Sequence, residues 1–171
     1  MRTYMQGSIN LSTFPKGTIA EIWGGTTLQE GVYNVLSNNS GVMAILGGPY
    51  YLDMETPGEP AAKHYGWMDT WLSFYNSEPF MDARLTNEMK ARVLGGCAEQ
   101  WSEQVDASSI EARIWPRALA VAERLWSPAS QVWVENKTVA RLQKASCQVL
   151  ERRGVRGGPV ASGFCPWSVN W

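Results

Sequence analysis

Three short apolar runs, separated by segments with helical periodicity, constrain the fold of this chain more than any other feature of its sequence. They cover residues 18–23 (Thr-Ile-Ala-Glu-Ile-Trp), 42–46 (Val-Met-Ala-Ile-Leu) and 93–98 (Val-Leu-Gly-Gly-Cys-Ala). Nearly continuous apolar runs of this length are typical of strands that are buried on both faces of a parallel sheet. Because parallel strands need crossover connections, the pattern predicts an α/β fold.

The segments that follow these runs predict helices. The first has apolar residues at helical spacing, namely Leu28, Val32, Val35 and Leu36. Thr86 is suited to cap a short helix that ends at Arg92, and Pro116 favours the first turn of a helix that continues to Trp126. A last amphipathic helix is expected over residues 136–153, with Gly154 just beyond its end.

These elements predict one partial domain over residues 1–171. Residues 1–17 show no clear pattern, and residues 50–80 predict a long aromatic loop without periodicity. A loop of that length inside a globular domain is usually functional.

Charge and motif content exclude several classes of function. The formal net charge is −1, and no run of Lys or Arg predicts a nucleic-acid surface or a basic membrane anchor. No stretch approaches the roughly 20 apolar residues that span a bilayer, and the N-terminus lacks the apolar core of an export signal. No residues have the spacing of a metal site or a phosphate loop, and the only histidine, His64, lacks the flanks of a catalytic triad. No cofactor and no metal are therefore expected.

Two other features indicate an oxidising compartment. The triplets that begin at Asn10, Asn38 and Asn136 fit the acceptor pattern for N-glycosylation. Cys147 and Cys165 flank a Gly/Pro-rich segment, and we expect a disulfide between them that ties down a tail over residues 147–171. Cys97 lies in an apolar run and is expected to be a core thiol.

Candidate binding residues follow the three predicted strands. In parallel α/β barrels the carboxyl ends of the strands form the active-site face. Here they are followed by Trp23, by Tyr51 and Asp53, and by Trp101 and Glu103. Pyranose rings pack their C–H faces on aromatic rings, and their hydroxyls need fixed acceptors such as carboxylates. The combination therefore predicts a sugar-binding pocket.

Structural roles compete with each of these assignments. A single Trp is more often part of a core, Tyr51 can pack with an outward hydroxyl, and Asp53 can cap a turn. Glu103 can be a solvated acid at a helix start. The joint placement after three successive strands favours the functional interpretation. By contrast, the charges Arg117, Glu123 and Arg124 are interpreted as structural groups that pack a helix on the barrel.

Several motifs in the chain resemble glycoside hydrolase family 20, especially the lysosomal-type β-hexosaminidases. The most specific is Ile-Trp-Pro-Arg at residues 114–117, which leads into Ala-Glu-Arg-Leu-Trp at 122–126. The resemblance is supported by two further motifs, Tyr-Tyr-Leu-Asp at 50–53 and Gly-Gly at 95–96 before Trp-Ser-Glu at 101–103. The motifs occur along the chain in the same order as in the family. The resemblance implies the C-terminal portion of a TIM (β/α)₈ barrel, about strands six to eight with their helices, without the first five strands. It also matches Cys147 and Cys165 to the family's C-terminal disulfide.

The same resemblance implies roles for the five candidate residues. Trp23 and Trp101 would line the pocket around an N-acetylglucosamine unit, Tyr51 would bind the acetamido carbonyl, and Asp53 and Glu103 would bind sugar hydroxyls. Family members hydrolyse terminal β-N-acetylhexosamines with retention and use the substrate's acetamido oxygen as the nucleophile. Their general acid is the Glu of an Asp-Glu pair, and no Asp-Glu dipeptide occurs in this sequence.

The sequence thus predicts a glycosidase family, with this chain inactive on its own. The expected partners are glycans or glycolipids that end in N-acetylhexosamine, and the resemblance is compatible with a dimeric parent protein that is lysosomal or secreted. Two alternatives stay open. One is a noncatalytic carbohydrate-binding or regulatory fragment, because the aromatic wall is present without the acid. The other is a nonfunctional fragment that cannot fold, because three parallel strands leave open sheet edges where the rest of the barrel should pair.

Overall fold

The structure is a computed structural model that describes residues 2–4, 14–23, 28–53, 70–78, 80, 82–102, 105–128, 135–161 and 165. The chain divides into two compact units. A sheet unit comprises Met1–Tyr51 and Ser77–Ala98, and a helical unit comprises Leu52–Asn76 and Glu99–Trp171. The single partial domain expected over residues 1–171 stays a prediction.

In its described residues, the sheet unit contains four strands and two α-helices. The strands are β1 (Arg2–Tyr4), β2 (Ile19–Ile22), β3 (Met43–Leu46) and β4 (Val93–Gly96), and the helices are α1 (Leu28–Asn38) and α3 (Asn87–Ala91). The helical unit contains α2 (Trp71–Asn76), α4 (Ile110–Ile114), α5 (Arg117–Trp126) and α6 (Glu135–Ala145). The α6 helix continues as a π-helical turn, Ser146–Leu150, and a 3₁₀ turn, Glu151–Arg153.

All four strands are parallel and follow the chain order β1-β2-β3-β4. The α/β prediction is confirmed, but the expectation of three strands is wrong. β1 pairs Arg2 with Ala20 and Tyr4 with Ile22, inside the segment 1–17 for which no pattern was visible. Since Arg-Thr-Tyr has no apolar run, its pairing depends on main-chain hydrogen bonds to β2, which a sequence pattern does not reveal.

The two central strands expose one face more than the other. Ala20, Ile22, Ala44 and Leu46 are buried, whereas the alternate residues Ile19, Glu21, Met43 and Ile45 are half-buried. The buried face packs with α1, which contributes Val32, Val35 and Leu36 to the core. The expectation of burial on both faces therefore holds for one face only within the described residues.

Arg92, which directly precedes β4, binds main-chain groups near the amino-terminal ends of β3 and β4. Its guanidinium donates to the carbonyls of Leu36, Asn39 and Val42 at 2.7, 2.6 and 3.1 Å. Just upstream, the Thr86 hydroxyl accepts from the Met89 N–H at 3.2 Å and caps α3, as predicted. These bonds join the C-terminal end of α1 to the amino-terminal ends of β3 and β4.

Among the described residues, the helical unit contains two helices that the sequence did not predict, α2 and α4. α2 lies in the segment that was expected to be a loop. It forms because Thr70 and Ser73 exchange side-chain to main-chain bonds of 3.3 Å at its start, and because Phe74 and Tyr75 are buried. The core of this unit contains Tyr75, Ala120, Leu142 and Val160, with Trp71, Leu119 and Val139 packed against them.

The C-terminal ends of the later helical segments agree with the predictions. Ser127 ends α5, but Pro116 immediately precedes this helix and does not lie in its first turn. The last helical turn is followed by Gly154, whose φ of 77° is a left-handed conformation that glycine adopts without strain. None of the helices in the described part of the chain is long and apolar enough to cross a membrane.

Candidate functional site

Two aromatic side chains follow neighbouring strands of the sheet unit. β2 ends at Ile22 and is followed directly by Trp23. β3 is followed by the 3₁₀ turn Gly48–Tyr50 and then by Tyr51. The Gly47 N–H donates to the Ile22 carbonyl at 2.9 Å, so the carboxyl ends of the two strands are tied to each other.

Trp23 and Tyr51 are in contact at this edge of the sheet. Their ring centroids are 6.5 Å apart and their planes meet at 63°, an edge-to-face arrangement. Both residues are half-buried. The Tyr51 hydroxyl oxygen is buried in this structure, so it does not pack outward. An indole ring beside a phenol combines an apolar surface with a hydrogen-bonding group, as a ligand with a C–H face and a nearby polar group requires. Two of the five predicted site residues are therefore brought together within the sheet unit.

The helical unit carries Asp53 and Trp101. Trp101 is 53% exposed, which argues against a role in core packing, whereas Asp53 is only 4% exposed and is not a solvated turn carboxylate. The Leu52 N–H donates to the Glu99 carbonyl at 2.7 Å, so the turn with Asp53 is joined to the segment that leads to Trp101. Glu103 lies outside the described residues, and its role stays a prediction.

Arg117 is a neighbour of the Asp53 turn that the sequence did not assign to the site. It is only 7% exposed, and its guanidinium donates to the main-chain carbonyls of Leu52 and Arg113. A signal was present in the sequence, because Arg117 is the only charged residue in the specific motif at 114–117. Charged residues are almost never fully buried unless they are paired, so the burial itself had to be seen in the structure.

Cys147 and Cys165 form a disulfide in the structure, with Cα atoms 5.5 Å apart. Glu151 lies close to both sulfurs, and the three donor atoms lie within 4.8 Å of one another, as in a metal site. The disulfide, however, uses both thiols, and a disulfide sulfur is not a thiolate ligand. Cys97 remains outside the disulfide, and its S–H donates to the Glu21 carboxylate at 3.5 Å in the sheet unit.

Two of the three candidate glycosylation sites fall in the described residues. Asn38 is the exposed last residue of α1, and its side-chain amide donates to the Asn34 carbonyl at 2.9 Å. Asn136 is exposed in the first turn of α6. Asn10 lies outside the described residues. Glycosylation at all three stays a prediction.

A comparison with protein families identifies a match over residues 4–129 to glycosyl hydrolase family 20, catalytic domain. The chain is 34% identical over 149 residues to beta-hexosaminidase subunit A1 of Dictyostelium discoideum, covering 87% of this chain and 26% of that protein. It is 36% identical over 149 residues to beta-hexosaminidase subunit beta of Homo sapiens, covering 87% and 24%.

Among solved structures, the chain is similar to the family 20 β-N-acetylhexosaminidase of Streptomyces coelicolor. The TM-score is 0.64 at 26% identity, over 90% of this chain and 31% of that one. The parallel sheet and its helices therefore correspond to part of a TIM barrel, and the chain spans about a quarter of the length of the curated relatives it matches. With a family match over most of its residues and two relatives above 30% identity, this chain belongs to glycosyl hydrolase family 20.

Proposed function

We propose that this chain is the C-terminal part of the catalytic barrel of a β-N-acetylhexosaminidase. The complete protein would hydrolyse terminal non-reducing β-N-acetylhexosamine residues of glycans or glycolipids. Family membership supports this, as do four parallel strands in unbroken chain order. The half-buried face of β2 and β3 also fits, because the interior of a complete barrel would cover it. The four strands would be the last four of the barrel, one more than the sequence predicted.

The contact between Trp23 and Tyr51 is the observation that carries the proposed mechanism. The indole face would pack on the sugar ring, and the Tyr51 hydroxyl would donate to the acetamido carbonyl oxygen and aim it at the anomeric carbon. Asp53, Glu103 and Trp101, which the sequence also predicts as binding residues, would bind hydroxyls and a second ring face. Positioning of an internal nucleophile lowers the barrier because the reacting atoms no longer have to be brought together.

Protonation of the leaving group would come from an Asp-Glu pair elsewhere in the complete protein, since this sequence contains none. A positioned acid typically contributes about 10²–10⁴-fold to the rate. We therefore propose that the isolated chain is inactive. The complete protein would be lysosomal or secreted and would form a dimer.

Tyr51→Phe in the complete protein tests the proposal. We expect kcat for an aryl β-N-acetylglucosaminide to fall by about 10- to 100-fold, the equivalent of one hydrogen bond to a developing charge, with a smaller change in KM. The measurement is steady-state kinetics on folded protein with an unchanged thermal midpoint.

Tyr33→Phe is the matched control, because Tyr33 lies on α1 and loses the same hydroxyl. It should leave kcat unaltered. If Tyr51→Phe also leaves kcat unaltered, Tyr51 has a packing role and the proposed mechanism is wrong. If the unsubstituted protein shows no turnover at all, the enzymatic function itself is wrong.

The absence of an Asp-Glu dipeptide favours one alternative, a noncatalytic carbohydrate-binding or regulatory fragment. Calorimetric titration of the isolated chain with N-acetylglucosamine distinguishes the two. Saturable binding by the isolated chain supports the fragment hypothesis, whereas binding only by the complete protein supports the enzyme.

A further inference from the structure

We propose that Arg117 is a positioning residue that fixes the orientation of the Asp53 carboxylate for capture of the sugar. The inference rests on the proposed function, in which Asp53 binds sugar hydroxyls. It assigns Arg117 a part in substrate binding beyond the helix-packing role that its sequence context predicts.

The residue before Asp53 is held on both sides of its main chain. The Leu52 N–H donates to the Glu99 carbonyl at 2.7 Å, and the Leu52 carbonyl accepts from the Arg117 guanidinium. The Leu52 side chain is itself only 2% exposed. Because the Leu52 carbonyl and the Asp53 N–H belong to one planar peptide unit, a bond to that carbonyl also restricts the start of Asp53.

Arg117 is in turn held in place by its own surroundings. Its Nε and Nη2 atoms donate to the Arg113 carbonyl at 2.8 and 2.6 Å. Its guanidinium carbon lies 5.6 Å from the centroid of the Phe74 ring, within the range of a cation–π contact. Since α5 begins at Arg117, directly after Pro116, the start of the helix determines where this side chain emerges. The guanidinium therefore bridges α4, α2 and the Asp53 turn within the helical unit.

The planar fork of an arginine is needed for this geometry. Donors on Nε and on Nη2 serve the Arg113 and Leu52 carbonyls together, whereas a lysine ammonium is a compact point charge on a flexible stem. Arg117→Lys keeps the positive charge but loses the fixed spacing of the donors. The Asp53 turn would then lose one of the two hydrogen bonds that hold the Leu52 main chain. The Asp53 carboxylate would adopt the sugar-binding orientation for a smaller fraction of the time.

The test is a double-mutant cycle in the complete protein with an aryl β-N-acetylglucosaminide as substrate. We expect Arg117→Lys to raise KM about tenfold and to change kcat by less than about threefold, because a binding orientation is lost and the reacting groups are untouched. Asp53→Asn should also raise KM. In the Asp53→Asn background, Arg117→Lys should change KM by less than about twofold, since contributions that act through one group are not additive.

Arg92→Lys is the matched control, because Arg92 also donates to main-chain carbonyls but does so within the sheet unit, at the amino-terminal ends of its strands. It should lower the thermal midpoint without raising KM. An equal rise of KM in Arg92→Lys, additive effects of Arg117→Lys and Asp53→Asn, or a lower thermal midpoint of Arg117→Lys with unchanged KM would each overturn the inference.

A different result contradicts the proposed function, namely the absence of turnover in the unsubstituted protein. The inference about Arg117 would then be wrong as well, because it rests on that function. If Arg117→Lys does not fold, Phe74→Leu replaces it in the double-mutant cycle, because it removes the ring beside the guanidinium and leaves the donors in place. A rise of KM that disappears in the Asp53→Asn background supports the inference, and an additive or absent effect overturns it.

Discussion

At the scale of single residues, Asp106 shows how a fully exposed carboxylate can be strongly perturbed by local bonds. Its Oδ1 atom accepts from the hydroxyl and the N–H of Ser108 at 2.6 and 2.9 Å, and from the same groups of Ser109 at 2.9 and 3.0 Å. The Ser108 hydroxyl is the largest cause, followed by that of Ser109, and together they lower the pKa of Asp106 from 3.8 to about 2. The carboxylate thereby organises the turn that leads into α4.

This shift predicts a stability change at acidic pH. Because the pKa of Asp106 is lower in the folded than in the unfolded state, its stabilisation is present above pH 3.8 and is lost as the pH falls through about 2. The thermal midpoint of the wild type should exceed that of Asp106→Asn at pH 5, and the difference should disappear near pH 2. Ser108→Ala should bring the titration midpoint of Asp106, measured by NMR, back toward 3.8. A midpoint near 3.8 in the wild type would contradict this account.

At the scale of elements, one carboxylate joins three helices of the helical unit. Glu123 on α5 accepts from the Tyr75 hydroxyl of α2 at 3.0 Å and from the Arg141 Nε of α6 at 2.9 Å. Arg141 also donates to the Thr138 hydroxyl at 3.0 Å, and Thr138 is fully buried. Bonding to Glu123 is the main reason why the pKa of Arg141 is raised. The structural role expected for Glu123 is thus a connection between helices that are distant in sequence.

Glu123→Gln should destabilise the helical unit by about 1–2 kcal/mol. The bond between Tyr75 and a charged acceptor is half-buried and contributes most, whereas half of the Arg141 side chain is exposed and its ion pair contributes little in water. Urea denaturation measures the change. Glu88→Gln is the control, since Glu88 pairs with Arg92 on the surface at 2.8 Å and its loss should cost less than about 0.5 kcal/mol. If the two substitutions lower the free energy of unfolding equally, the connection between helices stabilises the protein no more than a surface ion pair does.

At the scale of the whole molecule, the disulfide is the covalent link between residues far apart in the chain. Cys147 and Cys165 are separated by 18 residues and are both buried. The intervening segment also packs through the Gly158 N–H, which donates to the Trp115 carbonyl at 2.8 Å, and through the Val160 carbonyl, which accepts from the Trp71 indole at 2.8 Å. The link therefore reinforces a tail that is already held by hydrogen bonds.

The paired substitution Cys147→Ala and Cys165→Ala should lower the free energy of unfolding by about 3 kcal/mol. In the chain-entropy model a crosslink across a loop of this size restricts the unfolded state by that amount. Denaturant titration under non-reducing conditions measures it, with Cys97→Ala as the control that leaves the link intact. A loss below about 1 kcal/mol in the paired variant would mean that the hydrogen bonds alone hold the tail.

The sequence by itself determined the features that depend on neighbouring residues. The apolar runs of β2, β3 and β4, the Thr86 cap of α3, the end of α5 at Ser127 and the left-handed Gly154 are all local, because a strand pattern or a cap involves residues a few positions apart. The motif at residues 114–117 likewise pointed to the family that the comparisons show.

Only the tertiary structure decided the features that join distant parts of the chain. β1 is a strand because of its pairing with β2, and α2 is a helix because Phe74 and Tyr75 are buried. Arg117 and Leu52 are 65 residues apart in the sequence, and no local pattern predicts the contact between them. The physical reason is the same in each case. The stabilising partner is distant in sequence, so the residues next to the contact do not show how much it contributes to stability.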